Sequence, residues 1–143
     1  MEKTRQRISR IRRLRAIDDI RLDQLAVELG SIQQRMNKWS DQLSEVHLEI
    51  DDSFRQMSPG VVNRNQSRVW TDHLQQISLH LAASIRRAAT EREQVHERMI
   101  EQRAKVRGWD LLLDQLQGEM RTASAHQEHL EADDRFLSKQ TVM

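Results

Sequence analysis

The sequence predicts an all-α fold of two long helices forming an antiparallel coiled-coil hairpin, and three observations carry that expectation. Only five of the 143 residues are Gly or Pro, far too few for the frequent turns of an all-β domain. Apolar residues recur at alternating three- and four-residue steps over most of the chain, the mark of a coiled-coil seam. The one proline sits near the middle, in Ser58-Pro59-Gly60. There the missing amide hydrogen of Pro59 and the freedom of Gly60 break a helix. With 31% charged and 37% hydrophobic residues, the chain also lacks the apolar material for a thick globular core.

Helix one is expected over residues 2–57. Its seam runs Leu22, Leu25, Leu29, Ile32, Met36, Trp39, Leu43, Val46, Ile50, Ser53 and Met57. Ten of these eleven positions are apolar, against about four expected from overall composition. Upstream, the same register places Arg15 and Asp18 in the seam, whereas Ile8, Ile11, Leu14, Ile17 and Ile20 step by threes. The beginning of the helix therefore carries an apolar stripe in drifting phase, which predicts a locally altered supercoil or a different partner.

A turn is expected over 58–66, with Asn65 or Ser67 accepting hydrogen bonds from the first free amides of helix two. Helix two is expected over 67–138, leaving a short tail, 139–143. Its seam opens with Trp70, Leu74, Ile77 and Leu81. A second consecutive four-step to Ile85 is a stutter that loosens the supercoil. From Ile85 the seam continues as Ala88, Arg92, Val95, Met99, Gln102, Val106, Trp109, Leu113, Leu116, Met120, Ala123, Gln127, Leu130, Asp134 and Leu137, twelve of sixteen positions being apolar, and Gly108 and Gly118 each cost about 1 kcal/mol of helix propensity. Helices of this length reach roughly 84 Å and 110 Å. If pairing is symmetric about Pro59-Gly60, residue i faces about residue 118 − i, and helix two overhangs beyond Gly118. The whole reads as one coiled-coil domain, 1–143.

Charge narrows the function classes. The net charge is +1, but residues 1–15 carry Lys3, Arg5, Arg7, Arg10, Arg12, Arg13 and Arg15 against Glu2, a net +6, and the remainder carries −5. A basic amphipathic helix end fits an acidic protein surface. Phosphate neutralisation on nucleic acid is the rival reading, although the segment has no aromatic residue for base stacking and no recognised reading motif. The chain has no cysteine, which excludes disulfides and thiolate sites and agrees with a cytoplasmic setting. No run of 18 apolar residues suggests a membrane span, and the N-terminus lacks the apolar core of a secretory signal.

Enzymatic chemistry needs a concave, water-excluding site, which two paired helices do not supply. No enzyme activity, cofactor or nucleotide site is expected, since neither a phosphate-binding Gly-rich loop nor an acidic calcium loop occurs. Glu93 and His96 form a single Glu-x-x-His, where di-iron bundles need two such motifs and two further carboxylates. His126 and His129 are two potential ligands without a third. Neither pair predicts a metal site. Trp39, Trp70 and Trp109 all fall in the predicted seams. Each reads either as a bulky core residue or as an exposed partner anchor.

Several stretches resemble the stalk proteins of type III secretion, the flagellar FliJ and injectisome YscO family. Ile8-Ser-Arg-Ile-Arg-Arg-Leu14-Arg resembles the family's Arg/Leu-rich start. Trp70-Thr-Asp-His-Leu74-Gln-Gln-Ile77-Ser-Leu-His-Leu81 resembles its aromatic-x3-Leu-x2-apolar-x3 stretch. Val106-Arg-Gly-Trp109 with Leu112-Leu113 resembles its C-terminal apolar run, and Glu131-Ala-Asp133-Asp134-Arg-Phe136-Leu137 its acidic ending. The likeness spans nearly the whole chain in degenerate heptad text. The family's usual aromatic patch on the first helix contains Tyr, which this chain lacks; Trp39, Leu43, Val46 and Ile50 have the matching spacing.

The resemblance implies a stalk coupling the hexameric export ATPase to the cytoplasmic domain of the export gate, peripheral to the membrane, with export chaperones as further partners. The implied ATPase-binding residues are Arg5, Arg7, Arg10, Arg12, Arg13, Phe136 and Leu137. The implied gate-binding residues are Trp39, Leu43, Val46, Ile50, Trp70, Leu74, Ile77 and Leu81. The alternatives are a coiled-coil scaffold or chaperone that dimerises through the same seams, and a basic-tailed nucleic-acid-binding coiled coil.

Overall fold

The structure, a computed structural model, describes residues 2–55 and 61–141, with side chains described over 2–55 and 66–140. It consists of two long helices packed against each other, α1 (Glu2–Arg55) and α2 (Val61–Thr141), so the all-α hairpin expected from the heptads is the fold. Glu2 lies in the first turn of α1 and Arg55 in its last, each of the sign that the helix dipole favours. Met57 and the Ser58–Gly60 turn lie outside the described residues. No helix among the described residues is long and apolar enough to cross a membrane.

Helix α2 begins at Val61, six residues before the expected start at Ser67, and runs to Thr141, past the expected end at Ser138. The Val-Val-Asn-Arg-Asn-Gln stretch reads as loop on composition because β-branched residues and Asn each lose a few tenths of a kcal/mol to Ala in a helix. Once a long helix exists, each added residue gains a hydrogen bond without a new nucleation cost. Propagation therefore carries the helix through weak formers.

The paired helices divide into two compact units, one holding the start of α1 up to Asp23 with α2 from Ile100 onward, the other Gln24–Met99. In the second unit the core is Ile32, Ala88 and Val95, with Leu25, Leu29, Met36 and Trp39 packed against it. Ile32 is wholly inaccessible (0%). In the first unit Ile8, Ile11, Leu113 and Leu116 form the core, flanked by Trp109, Leu112 and Met120.

The seam of α1 is where the periodicity puts it. From Leu22 to Ser53 every seam position is buried or half-buried, and every residue between them is exposed. Upstream the same register simply continues. Asp18 is buried, Arg15 is half-buried, and Ile11 and Ile8 are buried behind them. The expected change of phase does not occur, and Leu14, Ile17 and Ile20 are left exposed. Following them inward would have meant rotating the helix out of the seam that the next thirty or so residues share. The continuous register prevails because Arg15 and Asp18 find polar partners across the seam.

In α2 the seam opens with Ser67, Thr71 and Leu74, not with Trp70. Thr71 is buried and donates its hydroxyl hydrogen to the Ser67 carbonyl at 2.7 Å, while Trp70 is 51% exposed. A threonine whose hydroxyl is satisfied within its own helix costs little to bury, and a small side chain suits a narrow two-stranded seam better than an indole. The seam then runs Ser67, Thr71, Leu74, Ser78, Leu81 and Ile85 in alternating four- and three-residue steps, so the expected stutter is absent, and Leu81 to Ile85 is a continuous buried or half-buried run around Ala82, Ala83 and Ser84.

Pairing within each unit follows a register different from the expected one. His47 with Ser78, Arg92 with Gln33, and Arg15 with Asp110 are cross-helix partners, and each pair of residue numbers sums to 125 instead of 118. The centre of pairing thus lies three to four residues later in sequence than the point assumed at Pro59-Gly60. Beyond Met120, α2 is exposed at every residue to Gln140 except Ser124.

Ile32→Ala should lower the unfolding free energy by about 2–5 kcal/mol, the cost of a fully buried aliphatic truncation. Val27→Ala, at an exposed position of the same helix, should change it by under about 0.5 kcal/mol. Urea unfolding followed by circular dichroism measures both, and similar losses for the two would contradict the seam assignment.

Candidate interaction site

The candidate interaction surface is built on the first unit, where the two polar residues forced into the seam set the arrangement. Trp109 donates its indole Nε1–H to Asp18 Oδ2 at 2.6 Å. Gln102 Nε2 donates to Asp18 Oδ1 at 3.1 Å and to the Asp18 main-chain carbonyl at 2.8 Å. Arg21 Nη1 lies 3.6 Å from Oδ1. Among the described residues no buried side-chain polar atom lacks a partner. The indole donor, then the Gln102 amide, hold the Asp18 carboxyl below its ordinary range; partial burial opposes this and Arg21 and Lys105 assist it. One turn earlier, Arg15 Nε pairs with Asp110 Oδ1.

Trp109 is therefore neither a simple core residue nor an exposed anchor. It packs on the Ile8–Leu116 core and uses its polar edge on Asp18. Asp18 and Gln102 stand out in the sequence only as polar seam positions; nothing in periodicity shows that they satisfy one another.

With Arg15 turned inward, the rest of the basic start faces solvent. Arg5, Arg7, Arg10, Arg12 and Arg13 are all exposed. Arg5 and Arg12 rim a shallow groove floored by Ile8 and Met120, with Arg121 on the facing helix. Phe136 and Leu137, the other residues assigned to the ATPase end, are exposed near the end of α2 in the same unit. All seven residues implied for that contact are thus accessible.

The residues implied for the gate contact do not form one surface. Leu74 (2% exposed) and Leu81 are buried, and Trp39, Leu43, Val46, Ile50 and Ile77 are half-buried seam residues. The heptad positions that made them look like a patch are the positions that close the hairpin. Trp70 is the exception, standing on the outside of α2 with its ring 5.9 Å from that of His73. Gln66, Val69 and His73 line a shallow hollow with it. Val69 is an exposed neighbour that the seam pattern does not single out.

His47 bonds Ser78 at 3.1 Å across the second unit. Glu93, His96, His126 and His129 are exposed, and among the described residues no three potential metal ligands come together. The chain matches no family model, no curated protein and no solved structure.

Because the Asp18 carboxyl titrates lower in the folded chain than in the unfolded one, its contribution is fully present above the ordinary aspartate range. That contribution is lost as pH falls through the folded value, which lies below the ordinary aspartate one. Asp18→Asn should lower the melting temperature by several degrees near neutrality. The gap between wild type and variant should narrow on acidification toward pH 2. A gap independent of pH would show that the charged form of Asp18 is not what the two donors stabilise.

Proposed function

We propose that this chain is a non-enzymatic stalk of a type III protein export apparatus, flagellar or injectisome, linking the hexameric export ATPase to the cytoplasmic domain of the export gate. The observation that carries the reading is a coiled-coil hairpin whose arginine-rich start is exposed in the same unit as the exposed end of α2. Five outward arginines offer a multidentate surface for acidic protein groups, and Phe136 and Leu137 supply a separate apolar contact near the end of α2. A two-helix hairpin suits a role in linking larger partners, since its surface is nearly all side-chain face and it encloses no reaction chamber.

In this reading the gate contact centres on Trp70. An exposed indole flanked by exposed Val69 and by His73 is the composition of an interface anchor: a large apolar ring with a polar rim. The chain acts in the cytoplasm at the face of the apparatus and escorts export chaperones, as the resemblance implies.

Two variants test the halves separately. Arg10→Glu with Arg13→Glu should abolish co-purification with the export ATPase while the helical circular dichroism signal is unchanged; undiminished binding would remove the ATPase half. Trp70→Ala should alter unfolding free energy by less than about 0.5 kcal/mol, as exposed substitutions do. It should at the same time eliminate binding to the gate's cytoplasmic domain. Retained gate binding by the folded variant would remove the other half.

A further inference from the structure

The stripe that the seam rejects is a second apolar face on α1. Leu14, Ile17 and Ile20 are 39%, 48% and 57% exposed. Arg10, Leu14, Ile17 and Arg21 follow one another at i, i+4, i+7 and i+11, so they share one side of the helix, and Arg13 joins Ile17 and Ile20 at the same spacing. The result is an apolar strip edged with positive charge. It lies away from the core that Ile8 and Ile11 make with Leu113 and Leu116.

The exposed end of α2 has the opposite character. Leu130 is 51% exposed, and between Glu128 and Asp134 the chain carries four carboxylates and no Lys or Arg, with His129 among them. Leu130, Asp133 and Asp134 lie on one side at i, i+3 and i+4. Neither Arg10 nor Arg13 on the first face, nor Asp133 nor Asp134 on the second, forms an ion pair among the described residues.

These two faces cannot meet within one chain. Ile8 is level with Leu116, and Asp133 lies roughly 26 Å further along the α2 axis, in the direction away from Arg13. We propose that they meet between two copies. The acidic, leucine-bearing end of α2 from one copy lies on the Leu14–Ile17–Ile20 strip of the other, and the reciprocal contact closes a two-fold dimer. Each copy holds both halves of the contact, which is the condition for a closed isologous pair. Apolar burial supplies the attraction and the arginine–carboxylate rows supply its specificity. This does not rest on the stalk reading.

The test uses the full chain and light scattering at tens of micromolar in low salt. Wild type should have about twice the 16.9 kDa chain mass and dissociate at least tenfold more readily in high salt. Arg10→Glu with Arg13→Glu alone, and Asp133→Arg with Asp134→Arg alone, should each be monomeric with helicity retained. Mixed together they should form a one-to-one dimer, because each variant then presents the charge its partner needs at both contacts. A monomeric wild type, or a dimer unaffected by either variant, would overturn the proposal. So would a mixture that stays monomeric while both variants are folded. Leu14→Ser with Ile17→Ser, which alters no charge, should also give monomer; a dimer persisting in that variant would likewise refute it.

Discussion

An unbroken seven-residue register is the constraint on which the rest of the structure depends. Once Leu22 to Ser53 pack as one seam, the helix upstream is not free to choose which of its faces points inward. Ile8 and Ile11 fit that phase; Leu14, Ile17 and Ile20 do not. The register drives Arg15 and Asp18 inside and pushes three large aliphatic side chains out. Each half of that exchange has a chemical outcome: a satisfied polar layer between the helices, and an apolar strip on the outside.

Much of the fold was legible because helices of this length have one dominant signal. Ile32, Leu25 and Trp39 could be placed in the core from spacing alone, as could Ala88, Val95 and Leu116 on the facing helix. What spacing could not supply was the offset between the two helices. A heptad pattern is the same one repeat further on, so the pairing of His47 with Ser78 is not written in either helix by itself. The start of α2 was hidden for a different reason: weak local propensity at Val61–Gln66 yields to cooperativity that a local reading does not weigh.

The candidate interaction residues were legible in proportion to how little they shared with the core. The arginines of the start stood out by composition and are exposed. The proposed gate residues were chosen at heptad spacing, and heptad spacing is what buries a side chain in a hairpin, so Leu74 and Leu81 disappear into the seam. Trp70 stays outside because Thr71, one position later, takes the place at the interface. One residue of phase separates a core indole from an exposed one.

The Asp18 layer has a mechanical consequence. Two long apolar seams of repeating sequence can slide past each other by a whole heptad and bury much the same surface, so hydrophobic contact alone leaves several alignments close in energy. Slippage by one repeat would strip the Asp18 carboxylate of both the Trp109 indole and the Gln102 amide, leaving a seam charge with only Arg21 of its own helix beside it. That layer distinguishes one alignment of the two seams from its neighbours, which apolar contact by itself does not.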